Sequence, residues 1–355
     1  MRQRLKDIDW IGLVLWVFRA VIIILMIWGT VATLISKDNP LTGREFLGFL
    51  VDGISQGSLY ALIALGYTLV YGILFMINFA HGEFFMSGAM TATVFVALPL
   101  SYSGFLDAYP VPGLLLCGLV AAITSVCVAL LTERIAYRPL RKAPRLIPLI
   151  TAIGASFFWQ YFFRGLYGGQ IVPFPEIEPL TGSVAFFGVE ILRKQIVVIV
   201  ASVVMLISLY FFVMRTKQGK AMRAVAEDKD VAALMGIDVD RVITITFAVG
   251  AAMAGAAGVM YGLLFRQTGF AMGFIPGIKA FTAAVLGGIG SVPGAAVGGL
   301  LLGIFESVGP RVFLQGVGIP ASYQLRDVIA FVMLVVVLIF RPQGILGERL
   351  TEKKA

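Results

Sequence analysis

Long apolar runs separated by short polar stretches make up most of the chain. A helix needs about 20 apolar residues to cross the hydrocarbon core of a bilayer. Runs that reach or approach this length cover residues 10–35, 46–76, 84–100, 111–131, 146–163, 196–214, 242–265 and 328–340. The pattern predicts an all-α fold, a polytopic transmembrane helical bundle with about eight spanning helices.

The composition supports a membrane protein and excludes several classes of function. Of the 355 residues, 59% are hydrophobic and 14% are charged, whereas soluble domains carry about 25% charged residues. One His and two Cys exclude a metal-rich or disulfide-stapled protein, so we expect no metal site and no cofactor. The net charge of +8 resides in short cationic clusters between apolar runs, which is typical of cytoplasmic loops and not of a nucleic-acid groove.

The first apolar run differs from a secretory signal peptide. It follows the cations Arg2, Arg4 and Lys6 and extends over residues 10–35, whereas the apolar core of a signal peptide has about 7–15 residues. We therefore expect residues 1–40 to hold an extra transmembrane helix that is retained, with Arg19 either snorkelling or facing protein.

The charges of the loops orient the spans. Cations cluster in residues 133–145, in residues 215–241 and in the tail at 349–355, and the positive-inside rule assigns such segments to the cytoplasm. Residues 101–110 and 165–190 carry no Lys or Arg and are expected on the outer side. Both termini are then cytoplasmic.

A ninth apolar run, residues 274–305, has to return to the side from which it started. If it crossed only once, the final helix would leave the basic tail outside. Its middle, GGIGSVPG, breaks a helix, and the breaking residues are Gly287, Gly288, Gly290, Pro293 and Gly294. We expect two half-helices in a re-entrant hairpin, either lining a transport route or packed tightly through Gly and Ala.

A second irregular place, MINFAHGE at residues 76–83, puts polar groups between apolar runs. Asn78, His81 and Glu83 either face a bundle interior or form an interfacial turn in which Asn78 caps a helix. The small polar stretch at residues 53–58 is similar: it is either a discontinuous helix or a place of close packing.

Residues 215–241 form the longest charged loop. Apolar residues at helical spacing and a helix stop at Gly236 predict one or two short amphipathic helices. Such a loop either docks a soluble partner or is merely solvated. The chain has no P-loop, G-x-S-x-G or H-E-x-x-H motif, so we expect no enzyme activity. An active transporter that cannot itself hydrolyse nucleotide needs an ion gradient or an ATPase partner.

Several stretches resemble the first of the two permease subunits of branched-chain amino acid ABC transporters, over roughly residues 46–348. They are GSLYALIALGYTLVYG (57–72), MINFAHGE (76–83), AEDK (226–229), ALMGID (233–238), DRVI (240–243), KAFTAAVLGGIGSVPGA (279–295) and PQGILG (342–347). The resemblance implies an importer of the bacterial inner membrane with a permease domain at 41–348. Its partners would be two ATPase subunits, a second permease subunit and a periplasmic or lipid-anchored binding protein.

The same resemblance assigns residues 215–241 as the coupling loop that docks on the ATPase. The expected coupling residues are Arg223, Glu227, Asp228, Ala233 and Gly236. ATP binding would close the ATPase dimer, pull on this loop and open the permease outward, and hydrolysis would reset it.

Residues along the substrate path are expected where polar groups interrupt the apolar runs, and the candidates are Asn78, His81, Thr282 and Ser291. Three alternatives stay open at this point. A urea or short-chain amide ABC permease would share the architecture. A secondary transporter would use Glu83 or Glu306 as an ion site, and an intramembrane enzyme would use His81.

Overall fold

The structure is a computed structural model that describes residues 10–35, 41–141, 143–144, 146–186, 188–319, 322–341 and 343–347. The α-helices are α1 Trp10–Ile35, α2 Gly43–Leu74, α3 His81–Ala92, α4 Leu98–Tyr102, α5 Phe105–Ala108, α6 Pro110–Thr132, α7 Leu146–Tyr167, α8 Arg193–Arg215, α9 Lys217–Glu227, α10 Lys229–Leu234, α11 Val239–Phe265, α12 Phe274–Gly287, α13 Val292–Gly309 and α14 Arg326–Phe340.

Short π and 3-10 turns extend or join these helices, and the strands are small. The π turns are Thr93–Ala97, Glu133–Tyr137 and Pro310–Leu314, and the 3-10 turns are Arg138–Leu140, Glu178–Leu180 and Ser322–Leu325. The strands are β1 Val172–Pro173, β2 Ser183–Phe186, β3 Val189–Leu192 and β4 Gln267–Thr268. They form two antiparallel pairs, β1 with β4 and β2 with β3.

Within the described residues, nine helices are long and apolar enough to cross a membrane. Eight of them coincide with the eight predicted runs, which confirms the all-α membrane bundle. The ninth, Val292–Leu314, is the second arm of the predicted hairpin and is longer than expected. It exceeds a half-helix because α13 itself runs to Gly309, past residue 305, and the π turn at Pro310–Leu314 continues it.

The centre of the bundle is the contact between α2 and α13, where glycines bring the two backbones together. A Cβ added at Gly303 would lie 2.3 Å from the Gly57 nitrogen, and one at Gly299 would lie 2.4 Å from the Ala61 nitrogen. Small residues allow such close approach of membrane helices. Residues 53–58 therefore belong to a continuous helix with close packing, the second of the two alternatives left open for them.

The helix break in the hairpin is also confirmed. α12 has 14 residues, about 21 Å at 1.5 Å per residue, and the chain then turns at Gly288 (φ 108°) and Gly290 (φ 97°) before α13 begins. Ile345 and Leu346 donate backbone hydrogen bonds of 2.9 Å to the end of α12. The turn and the segment after α14 thus lie at one end of the bundle, so the hairpin returns to the end from which it entered.

The predicted N-terminal unit is described only in part, because residues 1–9 and 36–40 lie outside the described residues. α1 packs on the outside of the bundle: a Cβ at Gly29 would meet the Phe313 carbonyl, and the Thr33 hydroxyl donates to the Val312 carbonyl at 3.0 Å. The Arg19 guanidinium lies 3.9 Å from the Phe340 ring centroid, so this cation faces protein. The predicted tail, 349–355, is also outside the described residues.

Candidate functional site

The charged loops meet at one end of the bundle, here named the coupling-loop end. Asp240, at the start of α11, pairs with Arg138 at 2.5 Å and also with Arg141, both from the segment after α6. The Lys229 ammonium lies 5.8 Å from the ring of Phe75 at the end of α2. The coupling loop, the ends of α2 and α6, and the start of α11 therefore share this end.

The coupling loop, residues 215–241, folds into the two short helices that the sequence predicts, α9 and α10. The Thr216 hydroxyl accepts a hydrogen bond from the Gly219 nitrogen at 3.0 Å and caps α9. Met222 and Val225 are buried against the bundle. α9 packs on α2 and α11, so this helix connects the loop to the bundle core.

Two of the predicted coupling residues shape α10. The Asp228 carboxylate accepts hydrogen bonds from the backbone nitrogens of Asp230 and Val231, at 2.9 and 3.0 Å, and caps the helix start. Gly236 (φ 82°) ends it, and the Ile237 nitrogen donates to the Ala232 carbonyl. This is the glycine-terminated helix end that lets an αL residue satisfy the last carbonyls.

The other predicted coupling residues, Arg223, Glu227 and Ala233, are exposed at the same end. Arg223 reaches back to the Met214 carbonyl at 3.4 Å. Burial and, secondarily, the nearby Arg141 guanidinium lower the pKa of Lys229 below its usual value. The loop therefore offers charged groups around α10.

An apolar tip on α10 escaped sequence analysis. Val231, Leu234 and Met235 are 54%, 86% and 79% exposed. The helical spacing suggested that apolar side chains of this loop pack inward, whereas these three point away from the bundle. We call Val231, Leu234 and Met235 the apolar tip.

The polar break after α2 lies inside the protein. Phe75 (φ 53°) ends α2, and Asn78 is 1% exposed. The Asn78 carbonyl oxygen Oδ1 accepts hydrogen bonds from the Ala80 nitrogen at 3.1 Å and from the Tyr137 hydroxyl at 2.5 Å. Asn78 thus faces the bundle interior and also organises the turn that starts α3.

His81 follows on the first turn of α3 and is equally buried, at 1% exposed. Its ring lies edge-on to Tyr67 with centroids 4.8 Å apart. A Cβ at Gly66 would lie 2.1 Å from the His81 Nε2, and one at Gly250 would lie 3.7 Å from its Cε1. The imidazole therefore fills space that glycines on α2 and α11 leave open.

Glu83 is a buried carboxylate on the same turn, 1% exposed. Its Oε1 accepts a 3.0 Å hydrogen bond from the Ser156 hydroxyl on α7, and its Oε2 has no hydrogen-bond partner among the described residues. A cavity of about 240 Å³ lies beside Ser156 and Tyr67. The interior is thus polar at Asn78, His81 and Glu83.

The remaining predicted path residues lie elsewhere. Thr282 is fully buried in α12, and its hydroxyl donates to the Ile278 carbonyl at 3.0 Å. The Ser291 hydroxyl accepts from the Gly294 nitrogen at 3.1 Å and caps α13. The structure brings Asn78 and His81 together, whereas Ser291 belongs to the hairpin turn at the coupling-loop end.

The helix-breaking residues sit in close contact around that turn. A Cβ at Gly287 would lie 1.8 Å from the Gly294 carbonyl oxygen, and one at Gly288 would lie 2.4 Å from the Gly347 nitrogen. Gly290 supplies a left-handed turn, and Pro293 occupies the first turn of α13. The two arms of the hairpin therefore pack tightly through glycine, which agrees with one of the two alternatives left open for residues 274–305.

A buried ion cluster at the opposite end was missed by sequence analysis, although Glu306 was weighed as an ion site. The Lys279 ammonium on α12 lies 2.6 Å from Glu306 Oε1 on α13 and 2.6 Å from Asp327 Oδ1 on α14. It also lies 3.4 Å from the Tyr60 hydroxyl on α2. We call Lys279, Glu306 and Asp327 the ion cluster.

The ion cluster borders a cavity of about 450 Å³. Tyr261 and Phe265 from α11 form part of its wall, and Phe270 and Arg326 also line it. The loop after α7 closes another side through Ile171. This cavity lies between the half-length α12 and the end of the bundle farthest from the coupling loop.

Comparison with known proteins identifies the family. A family model described as branched-chain amino acid transport system / permease component matches residues 49–338. The chain is 44% identical over 313 residues to the high-affinity branched-chain amino acid transport system permease protein BraD of Pseudomonas aeruginosa, covering 87% of this chain and 98% of that protein.

It is also 41% identical over 320 residues to the corresponding permease protein LivH of Escherichia coli, covering 87% of this chain and 99% of that protein. Both alignments run along nearly the whole relative, and the family model covers most of the chain. The chain therefore belongs to the family of permease components of branched-chain amino acid transport systems.

Proposed function

We propose that this chain is the permease subunit of an ATP-binding-cassette importer that translocates branched-chain amino acids across the bacterial inner membrane. Its partners are two ATPase subunits, a second permease subunit and a periplasmic or lipid-anchored binding protein. Residues 41–348 form the permease domain, and the helix within 1–40 is an addition to it. The coupling-loop end and both termini face the cytoplasm.

The apolar tip is the observation that carries this proposal. Leu234 and Met235 are almost fully exposed at the end of the bundle where the cationic loops gather. Burying one such side chain contributes about 1.5–3 kcal/mol, and exposed apolar groups rimmed by charge are typical of protein interfaces. Charged Arg223 and Glu227 lie on the same loop. An ATPase subunit that covers the tip explains both features.

The packing of α9 supplies a route from the ATPase to the bundle. α9 contacts α2 and α11, and these two helices carry Gly66 and Gly250, which lie next to each other beside the His81 ring. Movement of the loop would therefore change the spacing around the polar interior. The coupling requires that the ATPase bind the two permease conformations with different free energies.

Asn78, His81 and Thr282 remain the proposed residues of the substrate path through the inner half of the bundle. Asn78 and His81 lie at the start of α3, and Thr282 lies in α12, which packs on α2 and α3 and is too short to cross alone. Ser291, at the hairpin turn, is proposed at the cytoplasmic exit. The coupling loop is proposed to dock on the ATPase subunit, and the residues proposed to position it there are Arg223, Glu227, Asp228, Ala233 and Gly236.

The test is co-purification of the tagged chain from membranes, followed by ATP-dependent uptake in vesicles. We expect an ATPase subunit and a second permease to accompany the wild-type chain, and labelled leucine to be taken up in preference to labelled urea. Leu234→Asp should lose the ATPase and the uptake, because a carboxylate replaces the buried apolar contact. Val184→Asp, an exposed site on β2 at the opposite end, is the matched control.

Three outcomes would contradict the proposal. Uptake of urea in place of leucine would assign a different substrate to the same architecture. Uptake that persists without ATP and collapses with the ion gradient would indicate a secondary transporter. A Leu234→Asp variant that retains the ATPase as fully as Val184→Asp would remove the apolar tip from the dock.

A further inference from the structure

We propose that the cavity beside the ion cluster is a recognition site for the two charged groups of a free α-amino acid, with an aromatic wall for its apolar side chain. The inference rests on the proposed function, since it names where the permease would receive its substrate. It concerns chiefly Lys279, Glu306 and Arg326, none of which was among the predicted residues of the substrate path.

The acceptor for the ligand ammonium is Glu306. This residue is 1% exposed, and its Oε1 contacts Lys279 while its Oε2 has no hydrogen-bond partner among the described residues. A carboxylate offers about four lone-pair sites, and an unfilled one on a buried carboxylate is costly. An ammonium group entering the cavity would fill it.

The donors for the ligand carboxylate are Arg326 and Lys279. Arg326 lines the cavity, and its Nε also lacks a hydrogen-bond partner among the described residues. A guanidinium donates in a planar fork that matches a carboxylate. Asp327, which is 53% exposed, can turn to solvent and leave one of the Lys279 donors to the ligand.

The wall of the cavity suits an aliphatic side chain. The Tyr261 and Phe265 rings have centroids 4.4 Å apart and are tilted by 41°, and Tyr60 and Phe270 contribute further ring surface. The volume of about 450 Å³ falls in the usual range of small-molecule sites, about 300–1,000 Å³. A lining that combines charged groups with aromatic rings fits a zwitterion with a branched apolar chain.

The cluster is unlike an ordinary structural ion pair. Burying charges costs more than their attraction returns unless every group is satisfied. Here Glu306 Oε2 and Arg326 Nε, on two residues that line the same cavity, have no hydrogen-bond partner among the described residues. α12, α13 and α14 each contribute one member, and Tyr60 of α2 contacts Lys279, so a ligand bound there would contact the half-length helix and its neighbours at once. Ligand binding at that position would therefore act directly on the hairpin.

The first experiment needs no variant. Binding of tritiated L-leucine to the purified full chain, with its ATPase and second permease subunits but without the binding protein, is measured in competition with 4-methylpentanoate, which lacks the ammonium, and 3-methylbutylamine, which lacks the carboxylate. We expect leucine to bind and each one-pole analogue to compete at least about tenfold more weakly, because each forfeits charged hydrogen bonds. Equal competition, or no leucine binding, would overturn the inference.

The second experiment removes the acceptor. Glu306→Gln should raise the apparent Kd for leucine at least about tenfold, whereas Glu133→Gln should leave it unchanged. Glu133 is the matched control because it is a similarly buried, Arg-paired carboxylate at the coupling-loop end. An equal rise of the apparent Kd in Glu306→Gln and Glu133→Gln would indicate a general loss of packing and would contradict a ligand site at Glu306.

Uptake by the assembled wild-type complex separates this inference from the proposed function. Leucine uptake together with one-pole analogues that compete as well as leucine would overturn the cavity assignment and leave the importer standing. Absence of leucine uptake by the wild-type complex would overturn the proposed function itself.

Discussion

The two ends of the bundle depart from ordinary burial in opposite directions. At the coupling-loop end the apolar tip of α10 is exposed, with Leu234 at 86%. At the opposite end Lys279 and Glu306 are charged and almost fully buried. Apolar groups normally leave water and charges normally keep it. Each end therefore stores an unfavourable arrangement that a partner or ligand would relieve.

This difference suggests that the two ends receive different kinds of partner. A macromolecule covers apolar surface, since its own apolar side chains replace water there. A small charged ligand satisfies buried carboxylate and guanidinium groups, which a bulky partner could not reach. α2 connects the two ends, because it carries Tyr60 beside the cavity and also packs on α9. Its glycine contact with α13 holds it in the bundle.

The largest effect is expected from Gly303→Leu, which would break that connection. A Cβ there would meet the Gly57 nitrogen at 2.3 Å and the Gly53 carbonyl at 2.4 Å, so the helices would have to separate. We expect the free energy of unfolding to fall by well over the roughly 1–3 kcal/mol that is typical of overpacking, because backbone atoms have to move, and the fall would be seen as a lower thermal midpoint in detergent. Gly154→Leu on α7, with nothing within 4 Å of its Cβ, should fold normally. Equal thermal midpoints for Gly303→Leu and Gly154→Leu would show that the contact of α2 with α13 does not link the two ends.

Lys279→Met should give the next largest effect. It leaves the Glu306 carboxylate buried without its cation, at a cost of about 3–5 kcal/mol. The double variant Lys279→Met/Glu306→Leu should recover most of that stability, because it removes both charges. Leucine uptake should stay lost in both. A double variant that transports leucine normally would make the ion cluster a structural feature of the bundle.

Much of the architecture could be predicted from the sequence because membrane spans depend on local apolar runs. Eight spans, the break at Gly288 and the two helices of the coupling loop all follow from neighbouring residues. The resemblance to permeases, now established by family membership, supplied the role expected of that loop. The predicted coupling and path residues remain predictions.

The ion cluster could not be predicted because it is assembled across distant parts of the chain. Lys279 is one polar residue in a long apolar run, and its contact with Tyr60 joins residues 219 positions apart. The apolar tip was missed for a different reason. Helical spacing marks α10 as amphipathic but does not say that its apolar side faces away from the bundle.

Gly236→Ala should act on the coupling-loop end alone. Gly236 has φ 82° with nothing within 4 Å of its Cβ, so the cost is conformational, about 1–2 kcal/mol. Because α10 is exposed, the thermal midpoint of the bundle should change little while the co-purified ATPase activity falls. Gly154→Ala, in an ordinary helical conformation, should leave both unchanged. A bundle midpoint that falls with unchanged ATPase activity would contradict a docking role.

Asp240→Asn should give the smallest effect and sharpens the comparison of the two ends most directly. It removes the partner of two cations, as Lys279→Met removes the partner of two carboxylates, but Asp240 is 52% exposed. Exposed ion pairs contribute about 0–1 kcal/mol because water solvates the separated charges nearly as well. We expect a thermal midpoint close to wild type and normal leucine uptake. A loss as large as that of Lys279→Met would mean that burial does not distinguish the two clusters, and the ion cluster would no longer stand out as a ligand site.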